Sequence, residues 1–200
     1  MYKRQLVYER VIVPIDVEPD PRVTGVHAGE RGHNPIDFVR AQTPAGEALA
    51  IYSSVRALSA HRPGARPMAL DFRTIGLTAL VETGGRVVVN PGTDAVLLPR
   101  PAVAALAQGD EWLPAWRDEA LRELLLVEAT AACPAIVDLE IAYAGDGLTR
   151  VLVSVDRASF AQGEGASSMK AALSAALNAV GSNPRLIVSA DRVEIAPVLR

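Results

Sequence analysis

Three consecutive valines, Val87-Val88-Val89, stand between Gly84-Gly85 and Asn90-Pro91-Gly92. An apolar run this short, closed by turn residues at both ends, predicts a strand. Because no polar residue alternates with the valines, the strand must be covered on both faces. That requirement excludes a one-sided sheet and calls for helices packed against a sheet. The flanking sequence supplies them. Thr74 can cap a helix whose residues Ile75, Leu77, Leu80 and Val81 share one side, and Gly84-Gly85 ends it through left-handed geometry. Ala95 to Leu98 reads as a further strand, and Pro101 to Gln108 as a helix with proline near its first turn.

Upstream, Val11, Val13, Ile15 and Val17 alternate with polar residues along a first strand. Pro14 cannot donate to a ladder, so the strand belongs at an edge or carries a bulge. Residues Glu18 to Pro35 are rich in proline, glycine and charge, and read as a mobile loop open to proteolysis. Asp37 to Ala41 and Ala48 to Tyr52 flank the turn Thr43-Pro44-Ala45-Gly46 as a hairpin. Ser53 or Ser54 then caps a short helix, Val55 to Ala60, and Met68 to Phe72 is a short strand.

The segment Gln108 to Trp116 marks a lobe boundary, which divides the chain into residues 1–108 and 113–200. Beyond it, Asp118 caps a helix, Glu119 to Ala132, whose buried side is marked by Leu121, Leu124, Leu125 and Ala129. Val137, Leu139, Ile141 and Tyr143 alternate with Asp138 and Glu140 along a half-buried strand. Gly145-Asp146-Gly147 turns the chain, and Leu148 to Val155 returns antiparallel. Ser167 or Ser168 caps a helix with Met169, Leu173, Ala176, Leu177 and Val180 on one face, ended by Gly181. Leu186 to Ser189 and Val193 to Val198 read as two closing strands. Both halves show a strand hairpin, then helix, then strand, most clearly over Ala48 to Pro91 and Leu148 to Ser189. The expected fold is α/β (α+β), in two lobes, each a mixed β-sheet with helices packed against it.

Composition narrows function by exclusion. The net charge is −3 and the charges are mixed along the chain, with no basic block to track phosphates, so no nucleic-acid partner is expected. Cys133 is the only cysteine, which fits a reducing compartment. Met1 to Glu9 has no apolar signal core, and no apolar stretch is long enough to cross a bilayer. These features point to the cytoplasm and away from membranes.

Motifs for chemistry are weak. Gly163-Glu164-Gly165-Ala166-Ser167-Ser168, with Asp191 further on, is the nearest approach to a dinucleotide loop. A serine replaces its third glycine and the loop lies too far from the preceding strand, so a flexible loop with a serine cap explains it better. His27 and His33 share a loop but have no cysteine beside them, and they read as solvated. His61 ends a short helix, where a cation suits the dipole. Cys133 lacks a neighbouring base and reads as a small buried residue. Asp138 and Glu140 lie on the polar side of an alternating strand. No catalytic set, metal site or cofactor is expected. Trp112 and Trp116 either pin two lobes together or anchor a partner.

The first lobe resembles the N-terminal domain of the SseB family, named for enhanced serine sensitivity. The resemblance is carried by Val11-Ile12-Val13-Pro14, by Leu49-Ala50-Ile51-Tyr52-Ser53-Ser54 with tyrosine where phenylalanine is more usual, and by Val87-Val88-Val89-Asn90-Pro91-Gly92. It covers residues 5 to 107, with the Glu18 to Pro35 loop as a departure. The second lobe is similar in pattern to the family's C-terminal domain. The resemblance implies a non-enzymatic bacterial protein that acts through an unidentified protein partner, and a homodimer is compatible with it. Tyr52, Ser53, Ser54, Asn90 and Gly92 are better explained structurally, by serines that cap a helix and an Asn-Pro-Gly turn; the other reading is a ligand or partner surface at two strand ends, with Trp112 and Trp116 as further candidates. The alternative is a small-metabolite or nucleotide-binding protein, a sensor or transferase using the 163–168 loop.

Overall fold

The computed structural model describes residues 10–15, 38–160 and 166–200. The expected loop at 18–35 and residues 163–165 of the glycine-containing loop lie outside the described residues. The chain divides into two compact units, 1–111 and 112–200.

In the first unit, β2 (Arg40–Thr43) and β3 (Gly46–Ile51) form an antiparallel hairpin. Thr43 shapes its turn by donating from Oγ1 to the Gly46 carbonyl and accepting from the Ala45 N–H. The chain continues through α1 (Val55–His61), β4 (Arg66–Asp71) and α2 (Phe72–Glu82) before entering β5 (Val87–Val89), which pairs parallel to β3. β6 (Val96–Leu98) adds antiparallel, and α3 (Arg100–Gln108) follows. The sheet order is β2-β3-β5-β6.

The three valines of β5 are all buried, and they serve two cores. Val87 and Val89 join Leu49 and Ile51 against Phe72, Ile75, Val103 and Leu106 of α2 and α3. Val88 joins Ala50, Tyr52 and Leu97 against Leu58 of α1. Successive side chains of β3 and β5 thus feed opposite layers, as the period of two requires. Among the described residues β1 (Arg10–Ile15) has β4 as its ladder partner, in a separate two-stranded sheet, and is stitched to the main sheet by bridges from Ile12 to Tyr52 and from Ile15 to Phe38. Among the described residues Pro14 therefore occurs in a strand with one ladder partner, and the first unit adds a two-stranded sheet to its mixed one.

The sequence misjudged α2. The helix begins at Phe72, with Asp71 in the cap position, so Thr74 lies within the first turn. Its buried stripe is Phe72, Ile75, Gly76 and Ala79, whereas Leu77 is exposed and Val81 is 86% exposed. The packing of α2 on α3 sets this phase. A Cβ on Gly76 would stand 2.7 Å from Ala107 Cβ, so the two helices meet at a point where only hydrogen fits.

The second unit opens with a short 3-10 turn, Ala115–Arg117, and continues through α4 (Glu119–Ala132), β7 (Ile136–Tyr143) and β8 (Leu148–Val155). Gly145, Asp146 and Gly147, all with positive φ, make the turn between those strands. A second 3-10 turn, Arg157–Phe160, precedes α5 (Ala166–Ser182), α6 (Pro184–Ser189) and β9 (Arg192–Leu199), which pairs parallel to β8. Each unit is therefore a hairpin followed by a helical crossover to a parallel strand. Leu121, Leu125 and Ala129 of α4, Ala176 and Val180 of α5, and Leu186 of α6 pack on one face of the sheet.

Several expectations for this unit differ from the structure. Residues 186–189 are helical, not a strand: Asn183 accepts from the Arg185 and Leu186 N–H groups and Pro184 takes the first turn, a helix start that overrides the β-branched pair Ile187-Val188. α5 starts at Ala166 and runs through Ser182, so Ser167 and Ser168 lie in its first turn and Gly181 does not end it. A register shift between Ile136 and Asp138 turns Val137 outward and puts Ile136, Leu139 and Ile141 inside. Leu124 is exposed rather than buried, and Leu173 is only half-buried against the core.

Asp118 has two tasks. It accepts from the Leu121 N–H at the start of α4, and its two oxygens take Arg185 Nη2 at 2.9 and 2.8 Å from the first turn of α6. Asp118→Ala should therefore cost more than an ordinary cap, about 2 kcal/mol or above, read as a lowered denaturation midpoint. A loss no larger than that of Arg185→Ala would mean that the cap adds nothing.

Candidate functional site

β3 and β5 run parallel, and their carboxyl ends are adjacent. The residues leaving those ends are Tyr52-Ser53-Ser54 and Asn90-Pro91-Gly92. The fold thus brings together Tyr52, Ser53, Ser54, Asn90 and Gly92 in the first unit.

Tyr52 is 1% exposed and exchanges both backbone hydrogen bonds with Ile12. Its hydroxyl lies 2.8 Å from His61 Nδ1, at the last residue of α1. Ser54 caps α1 by accepting from the Ala57 N–H. Ser53 is bound to the other strand end: its N–H donates to Asn90 Oδ1 at 2.9 Å, and its Oγ accepts from Asn90 Nδ2 at 3.0 Å. The Asn90 N–H donates in turn to the Ile51 carbonyl. Asn90 holds φ at 52°, a left-handed conformation that asparagine tolerates better than most residues. Gly92 has φ 90°, and a Cβ there would run into the His61 ring.

Nothing in the sequence places His61 in this cluster. The sequence shows a histidine suited to a helix end, and the nine-residue separation from Tyr52 has no periodic signature. Only the return of α1 across the end of β3 puts the ring between Tyr52 and Gly92.

Burial raises the Tyr52 hydroxyl above its ordinary value of 10.0, and the charge of Arg62 partly offsets this. The folded state holds the tyrosyl proton more tightly than the unfolded chain, so this contribution is complete below pH 10.0 and is lost as pH climbs through the higher folded value. Tyr52→Phe should cost about 1 kcal/mol near neutrality by removing the partner of His61. The gap should narrow in alkaline solution. Denaturation midpoints of both proteins across that range test it; a constant gap would show that Tyr52 does not carry the effect.

Chemically, these side chains are committed to each other. Ser53 Oγ faces an amide, which cannot act as its base, and His61 Nδ1 faces a buried phenol. Cys133 is fully buried at the end of α4, in the apolar core of the second unit, with Met169 Sδ 3.8 Å away. Asp138 pairs with Arg122 and Arg200, and Glu140 is exposed. Among the described residues, no three His, Cys, Asp or Glu side chains gather as a metal-binding group, and no helix is long and apolar enough to cross a membrane. His27 and His33 lie outside the described residues.

Trp112 and Trp116 are the remaining two residues of the expected surface. Both belong to the second unit, where their rings meet edge-on at 5.7 Å and Trp116 lies 4.7 Å from the ring of Tyr143 at the end of β7. Trp116 also packs on the core of that unit.

The family model described as the SseB protein N-terminal domain matches residues 2–105. The chain belongs to the SseB family. The SseB match contains Tyr52, Ser53, Ser54, His61, Asn90 and Gly92, and it ends before Trp112. No curated protein and no solved structure matches the chain.

Proposed function

We propose that this SseB-family protein is a non-enzymatic cytoplasmic binding or adaptor protein. In this reading its first unit contacts a protein partner through the ends of β3 and β5, and its second unit is the family's C-terminal companion domain. One observation carries the reading: the side chains best suited to chemistry are paired with each other, Tyr52 with His61 and Ser53 with Asn90. Such pairing stiffens a surface. The one hydroxyl set beside an imidazole, that of Tyr52, belongs to a buried residue, whereas covalent catalysis requires a nucleophile that a substrate can reach. Rigid strand ends suit recognition, because little is lost in ordering them on contact.

Ser53→Arg tests this. Ser53 is exposed and its backbone N–H to Asn90 would remain, so the fold should survive with a melting temperature close to wild type. Partners captured by the wild-type protein should fall by about tenfold or more if the strand ends are central to the contact. Full retention of partners by the folded variant would remove the proposed surface. A nucleotide or metabolite that raises the melting temperature of the wild-type protein would instead favour a ligand-binding protein.

A further inference from the structure

We draw no further inference here: the strongest candidate, the face of the second unit's sheet lined by half-buried Ala142, Leu148, Leu152, Ala196 and Val198 opposite its helices, carries nothing because nothing in the structure shows what covers it.

Discussion

Leu125→Asp is expected to unfold the second unit. Leu125 is completely buried in the middle of α4, and its surroundings are apolar: Leu121, Leu139, Val151, Val153 and Val180 belong to the same core. A carboxylate placed there has no cation within that core and must either lose its hydration or take up a proton, at a cost of about 4 kcal/mol or more. Leu125→Ala removes the same contacts without adding charge and should cost about 2–5 kcal/mol, according to how far α4 can settle into the gap. Both tryptophans of the chain lie in the second unit, so their fluorescence follows the folding of this unit. The aspartate variant should show the unfolded emission without denaturant. Ile75→Asp, an equally buried change in the first unit, serves as the control and should leave the tryptophan signal folded. A wild-type midpoint for Leu125→Asp would mean that α4 turns another face inward.

These two positions also show what the sequence could express. Leu121, Leu125 and Ala129 fall at helical spacing after a capping aspartate, and α4 has the bounds expected from that pattern, Glu119–Ala132. The hairpin turn at Thr43–Gly46 and the doubly buried valines were equally legible, because each depends on a few adjacent residues with narrow conformational preferences. Two of the errors arose where a distant contact decided the outcome. Leu77 and Val81 look as apolar as Ile75, yet α2 is rotated by its close approach to α3 at Gly76 and Ala107. Val137 fits an unbroken alternation, but the β7–β8 pairing inserts an extra residue there. Ile187 and Val188 favour a strand by type, while Asn183-Pro184, three residues upstream, specifies a helix start that overrides them. At the candidate site, the turn residues and serine cap were readable. The Tyr52–His61 and Ser53–Asn90 pairs were not, since they join separate elements across the ends of β3 and β5.

Gly92→Ala should be the most damaging single-methyl change at the strand ends, because two independent costs coincide. The first is conformational: φ of 90° lies where an L side chain is strained, at about 1–2 kcal/mol. The second is steric. The new methyl would occupy the space of the His61 ring, so either the ring leaves its position against Tyr52 or the Asn90–Gly92 turn shifts and pulls Asn90 from Ser53. Forcing such a rearrangement adds about 1–3 kcal/mol. A double-mutant cycle separates the two. His61→Ala alone should cost about 1 kcal/mol, by removing the partner of the Tyr52 hydroxyl. In the His61→Ala background, Gly92→Ala should cost only its conformational part, because the obstructing ring is gone. The cycle should therefore return a favourable coupling of about 1 kcal/mol or more between the two alanines, read from denaturant midpoints at constant slope. Strict additivity would show that the ring moves aside freely and that Gly92 is required only for its backbone. The strand-end cluster would then be held by Ser53 and Asn90 alone, and Gly92→Ala should leave partner capture by a still-folded protein unchanged. Strong coupling would instead make His61, Tyr52 and Gly92 one rigid unit, whose disturbance should weaken capture in step with the loss of stability.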